Sequence, residues 1–169
     1  QILAVEGRYL DRARDELCRK FPLTLIDGDE LFLDSMRRQA ENLRVNWEVV
    51  LAADAADPDS RDWERLQRLI DRAIPELEKA FQRPDKLLLL TSAGLFVRYR
   101  KLDLLNRIRD RVGTAQGPKG LWILIPGGGK DFPHINGSSL PMTNQAQFEK
   151  LSEAWLKNAL PSPTSGKPA

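Results

Sequence analysis

The chain has 169 residues, 41% of them hydrophobic and 30% charged, which suits one domain with enough chain for a core. Its 26 Lys and Arg against 24 Asp and Glu leave a net charge of +2, and its one cysteine, Cys18, has no partner within the chain. These values exclude collagen, disulfide-scaffold and disordered compositions, and no window approaches the roughly 18 consecutive apolar residues of a membrane span. The expected setting is a reducing cytoplasm with no membrane partner. A start at Gln1 without a signal-peptide pattern reads as a piece of a longer protein.

The near-neutral total is a cancellation. Residues 1 to 83 carry a net −4 and residues 84 to 169 a net +6. The acidic excess gathers in Asp54, Asp57, Asp59, Asp62 and Glu64, the basic excess in Arg98, Arg100, Lys101, Arg107, Arg109 and Arg111. Solvated faces would account for both runs, but the basic one could also meet an acidic partner.

In chain order, Ile2, Val5, Tyr9, Ala13, Leu17 and Phe21 recur at three- and four-residue steps, predicting an amphipathic helix over 2–20 that stops at Pro22. Leu23 to Ile26 then has the appearance of a buried strand. Asp27 and Glu30 have capping-box spacing for a helix to about Asn42, with Leu31, Phe32, Met36, Ala40 and Leu43 on its apolar side. Residues 45–53 fit strand or short helix, with helix favoured. Ser60 caps a long helix whose Trp63, Leu66, Ile70, Ile74, Leu77 and Phe81 share one face, and Pro75 should kink it.

Leu87 to Leu90 is apolar on both faces and indicates a central parallel strand, followed by a turn at Ser92 to Gly94. Leu102, Leu105, Ile108 and Val112 mark the next helix, with Arg100, Arg107 and Arg111 on another face. Leu121 to Ile125 is a further buried strand. Residues 127–141 read as a long loop with a turn at Asn136-Gly137, and a helix is expected from Gln145 to Asn158. Three short strands between helices predict a small three-layer α/β/α domain with a short parallel sheet, Rossmann-like, over residues 1–160. Residues 161–169 are expected to be a disordered tail or linker.

Ligands of such sheets collect at the carboxyl ends of the strands. At the third end, Gly127 to Lys130 follows a strand as a phosphate loop does, but Leu124 stands where its first glycine belongs and Asp131 where a magnesium-holding Ser or Thr belongs. His134 is the sole histidine, with no nucleophile elbow near it, and Ser138-Ser139 reads as loop. Arg98, Arg100, Lys101, Arg107 and Arg111 form the best binding candidate, suited to phosphates or acidic side chains. General electrostatic contact to DNA fits them better than sequence-specific readout, because only Tyr99 interleaves as an aromatic.

Two resemblances add to this reading. Asp27-Gly-Asp29 after one strand and Thr91 at the end of the next resemble the first two motifs of haloacid-dehalogenase-type phosphohydrolases. That likeness implies Asp27 as nucleophile, Asp29 as acid/base, Thr91 on the phosphoryl group and a magnesium ion. It is incomplete, since Leu31 replaces the family's Thr or Val and no acidic pair follows the third strand. Helix capping by Asp27 explains the same residues without chemistry.

The second covers most of residues 5 to 160. Leu87 to Leu105, Gly120 to Pro126, His134 to Pro141 and Glu153 to Asn158, with Val45 to Asp54 and Ser60 to Trp63 before them, form an ordered set. That set resembles the C-terminal end of PglW-like serine/threonine kinases of the Pgl, or type 2 BREX, bacteriophage-defence systems. The Leu90 to Phe96 pattern with Arg98 after it is also similar to BrxB proteins of related systems. The sequence holds no Gly-rich loop, Val-Ala-Ile-Lys strand, His-Arg-Asp or Asp-Phe-Gly. The resemblance therefore implies an accessory domain without kinase activity, docking onto other defence components or DNA, with Arg98 as the residue carried over.

Overall fold

The computed structural model describes residues 1–127, 132–140 and 142–157. Its first apolar run, Ile2–Val5, buries all four side chains as strand β1, where the sequence reading placed the start of a helix. Four consecutive apolar residues overfill one face of an amphipathic helix, whereas a strand covered on both sides buries every one. A 3-10 turn over Gly7–Tyr9 leads into helix α1 (Leu10–Lys20), which turns Ala13 and Leu17 inward. Strand β2 (Leu23–Asp27) and helices α2 (Gly28–Asn42), α3 (Trp47–Asp54) and α4 (Arg61–Ala80) follow.

Each of these three helices begins on a polar cap. Asp27 accepts from the Glu30 N–H at 3.0 Å, Asn46 from Glu48 at 2.9 Å and Ser60 from Trp63 at 3.2 Å, which satisfies backbone donors that helix starts leave unpaired. The α4 helix continues through Pro75 to Ala80. Strand β3 (Leu87–Thr91), helices α5 (Gly94–Arg98) and α6 (Leu102–Asp110) and strand β4 (Gly120–Pro126) come next. A two-stranded hairpin, β5 (His134–Ile135) and β6 (Ser138–Ser139), turns at Asn136-Gly137. Both turn residues have positive φ, 49° and 82°, as a two-residue hairpin turn requires. Strand β7 (Phe148–Lys150) and helix α7 (Glu153–Lys157) complete the described chain.

The main sheet is parallel and five-stranded in the order β2-β3-β4-β1-β7, a three-layer α/β arrangement with helices on both faces. Leu88 and Leu90 face α2, α4, α5 and α6, whereas Leu89 packs with Leu3, Val5, Leu124, Ala13, Leu17 and Leu156. Each of these β3 leucines is fully buried, worth about 1.5–3 kcal/mol apiece. Strands β1 and β4 lie side by side, and the chain leaves them toward opposite faces. After β1 it runs into α1, and after β4 it enters the hairpin whose Ile135 joins the other core.

Several expectations are corrected. The sheet has five strands instead of three, because β1 and β7 were read as helix. The expected helix from Gln145 is a 3-10 turn, then β7, then the short α7. Phe148 to Lys150 supply backbone partners for the otherwise open edge of β1, a demand local periodicity does not register. Strand β2 is an edge strand with Leu25 46% exposed, so it is covered less fully than a buried strand. The short α5, absent from the sequence reading, stands between β3 and α6. Gly128 to Asp131 of the phosphate-loop comparison and the 161–169 tail lie outside the described residues.

Candidate functional site at the strand ends

Strands β2 and β3 pair in register so that Asp27 stands opposite Thr91, and their carboxyl ends share one turn region. Gly28 lets the two turns touch: a Cβ there would lie 2.8 Å from the Ser92 carbonyl oxygen and 3.0 Å from the Leu90 side chain. The Asp27-Gly-Asp29 spacing thus has a packing cause.

Both carboxylates are engaged by the fold. The Asp27 Oδ1 caps α2, and its Oδ2 accepts from the Ser92 hydroxyl at 2.9 Å. Asp29 reaches across to the start of α5, where its Oδ1 accepts from the Leu95 N–H at 2.7 Å. Burial pushes the Asp29 carboxyl above its usual range, with the Leu95 N–H opposing that rise and the Asp27 charge adding to it. Thr91 is buried, and its hydroxyl points at the Ile26 carbonyl at 3.5 Å. Among the described residues no three His, Cys, Asp or Glu side chains converge as metal ligands. Two carboxylates and the buried Thr91, with no third acidic side chain beside them among the described residues, supply too few ligands for a magnesium centre.

Beyond α5 the surface opens into a crevice of about 560 Å³ lined by Asp29, Trp63, Gly94, Arg98, Arg100 and Asn136, among others. Arg98 closes one side. Its guanidinium donates to the Asp54 carboxylate at 3.0 Å and lies 5.9 Å from the Trp63 ring centroid. The Tyr99 hydroxyl donates to the same carboxylate at 3.0 Å, and burial, followed by that bond, pushes its pKa up to about 12. Asp54 therefore ties the end of α3 to the end of α5.

Arg100 differs from the other basic candidates. It sits at φ 59°, and around it the Lys101 N–H bonds the Phe96 carbonyl at 2.7 Å while its own N–H bonds Val97 at 3.0 Å. This left-handed helix ending usually employs glycine. Arg100 is exposed, lines the crevice and has no ion-pair partner among the described residues.

The remaining candidates turn away from the crevice toward α4. Lys101 pairs with Asp71 at 2.5 Å, Arg107 with Glu78 at 2.8 Å and with Asp103, and Arg111 with Glu78 at 3.0 Å. Burial raises the Glu78 pKa, but the Arg107 and Arg111 guanidiniums outweigh it and hold the carboxyl below its usual range. The five basic residues thus divide into Arg98 and Arg100 at the crevice and Lys101, Arg107 and Arg111 at a helix interface. Trp63, Ser92 and Asn136 complete the region. None was singled out in sequence as a site residue, since Trp63 fits a core stripe and the other two fit turns.

The third strand end opens on a cavity of about 410 Å³ lined in part by Pro126, Phe132, His134, Phe148 and Lys150. His134 Nδ1 lies 2.8 Å from the Phe132 carbonyl, and Ser139 Oγ lies 3.2 Å from His134 Nε2. They are a cross-strand pair of the hairpin. No helix among the described residues is long and apolar enough to cross a membrane.

No family model and no solved structure matches the chain. Comparison with curated proteins finds 29% identity over 172 residues to the "Probable kinase PglW" of Streptomyces coelicolor. The match takes in 94% of this chain and 11% of that protein, so the chain spans about a ninth of the relative's length. The similarity implied by the Leu87 to Asn158 motif set is therefore present: this chain is similar to a short part of a PglW kinase.

Proposed function

We propose that this chain is a non-catalytic accessory domain of a phage-defence protein of the Pgl type and that it docks onto sister components through the crevice beside Arg100. The similarity to PglW supports the setting, and the missing kinase motifs support a role other than phosphoryl transfer. Arg100 carries the placement. An exposed arginine without an ion pair, held where glycine would be less strained, faces a crevice walled by Trp63 and Asn136. A guanidinium placed so can fork onto a carboxylate or phosphate while its partner covers the indole. Arg98 adds charge at the same mouth, although Asp54 already holds it.

The test is an Arg100→Glu substitution, with sister components of the defence system pulled down from the native host. Capture falls at least about tenfold, the scale of one lost charge-assisted contact, while the circular-dichroism spectrum is unchanged. Undiminished capture by the variant removes the crevice from the reading. Loss of steeply salt-dependent binding to duplex DNA in the same variant, with capture intact, makes nucleic acid the partner instead.

A further inference from the structure

On the face of the molecule formed by α2, α3 and α4, a groove of about 450 Å³ runs between α3 and α4. Its floor is core, with Val50, Leu66 and Leu69 all buried. Its rim is not: Leu43 is 42%, Val45 38% and Val49 60% exposed. Exposed aliphatic side chains contiguous with the core mark a surface that gains by being covered.

One wall of the groove carries charge of a single sign. Arg65, Arg68 and Arg72 are spaced by three and four residues along α4, so they form one stripe about 10 Å long beside the apolar floor. No Asp or Glu lines the groove. Arg65 pairs with Asp62 at 3.1 Å and Arg68 with Glu64 at 3.7 Å, both pairs largely exposed. Arg72 has no ion-pair partner among the described residues. Exposed pairs of this kind are worth little, so an incoming carboxylate competes readily for these guanidiniums.

We infer that this groove binds an amphipathic helix of a partner protein, with its apolar side chains on Val49 and its neighbours and its acidic side chains on Arg65, Arg68 and Arg72. Two turns of helix match the length of the stripe, and apolar residues flanked by acids one turn apart complement both the floor and the wall. The charge sets the partner's sign and orientation, and the aliphatic floor supplies the affinity. The inference builds on the interaction-domain reading but uses a surface different from the Arg100 crevice.

The experiment uses the full chain and two synthetic helical peptides of about 14 residues, four turns each, that share a leucine face. One carries glutamates along the flank, and the other carries lysines. Fluorescence anisotropy shows the glutamate peptide binding at least about tenfold more tightly than the lysine peptide. Val49→Asp and Arg72→Glu each weaken that binding by a similar factor, and melting curves confirm that both variants fold. Arg100→Glu leaves peptide binding unchanged, so a failed crevice and a failed groove give different results. Absence of peptide binding, equal affinity for both peptides, or indifference to both groove substitutions overturns the inference. Self-association in sedimentation that Val49→Asp abolishes also overturns it, making a second copy the occupant.

Discussion

The arginines of α5 and α6 and those of α4 have similar density in the chain but different surroundings. Arg98, Arg107 and Arg111 reach carboxylates supplied by other elements, Asp54 from α3 and Glu78 from α4. Arg65 and Arg68 meet acids only one turn away on their own helix, and Arg72 meets none among the described residues. The first set closes the fold and the second borders an uncovered apolar groove. A dense run of charge in sequence therefore says little about free charge. What decides is whether the fold sets an opposite charge against it, and the excess of acids in the first half partly meets the excess of bases in the second.

The largest expected effect that sharpens this contrast comes from Asp54→Ala. The substitution leaves the buried Tyr99 hydroxyl without its acceptor and frees Arg98, lowering stability by about 2 kcal/mol in denaturant unfolding. A loss no greater than for an exposed acid on α4 would mean that the α3–α5 tie is cosmetic. Glu78→Gln follows, costing about 1–2 kcal/mol at neutral pH, because the 16% exposed carboxylate is shared by Arg107 and Arg111, which are themselves partly exposed.

That second effect has a pH signature. Because the folded-state pKa of Glu78 is lowered, its stabilisation is present above the unfolded glutamate value and disappears as pH falls through the depressed one. Stability of the Gln variant should consequently decline less steeply on acidification than that of the parent. Parallel curves in a pH series of chemical melts would contradict the pairing. Asp29 acts in the opposite sense, since its raised pKa favours the folded state at low pH and that contribution is lost as pH rises.

Smaller effects belong to the groove. Arg44 sits at φ 55° just past α2, where the Val45 N–H bonds the Ala40 carbonyl at 2.8 Å and the Arg44 N–H bonds Glu41 at 3.0 Å. Arg44→Gly relieves a left-handed conformation and should raise stability by about 0.5–1 kcal/mol, read as a higher melting temperature. Arg72→Glu should change stability by less than about 0.5 kcal/mol, because nothing described in the fold depends on that charge. A larger loss would show that the α4 stripe holds the fold in the way the α6 arginines do.

The legible parts of the fold were those with local causes. Asp27 and Ser60 precede helices that begin within a residue of their caps, and the Leu87 to Leu90 and Leu121 to Ile125 runs are apolar enough to be strands only inside a covered sheet. β1 and β7 were not legible. Ile2 and Val5 match a helical step as well as a strand, and Phe148 to Lys150 become a strand because β1 offers an open edge. In the candidate site, Arg98 and Arg100 could be picked out by charge, but not the division that turns Lys101, Arg107 and Arg111 onto α4. The α4 stripe was not singled out in sequence, and the exposed Leu43, Val45 and Val49 beside it appear only once α3 is set against α4.

By itself, then, the sequence determined an α/β chain with capped helices, a core strand and the missing kinase motifs, because each depends on residues close together in the chain. Tertiary structure alone decided which charges face one another. It set the Ser92 hydroxyl on Asp27 and Asp29 against the start of α5, put Arg100 at a crevice and left Arg72 beside an apolar groove. Those outcomes depend on which elements the sheet order brings together, and Coulomb and hydrogen-bond energies fall off too steeply with distance for spacing along the chain to predict them.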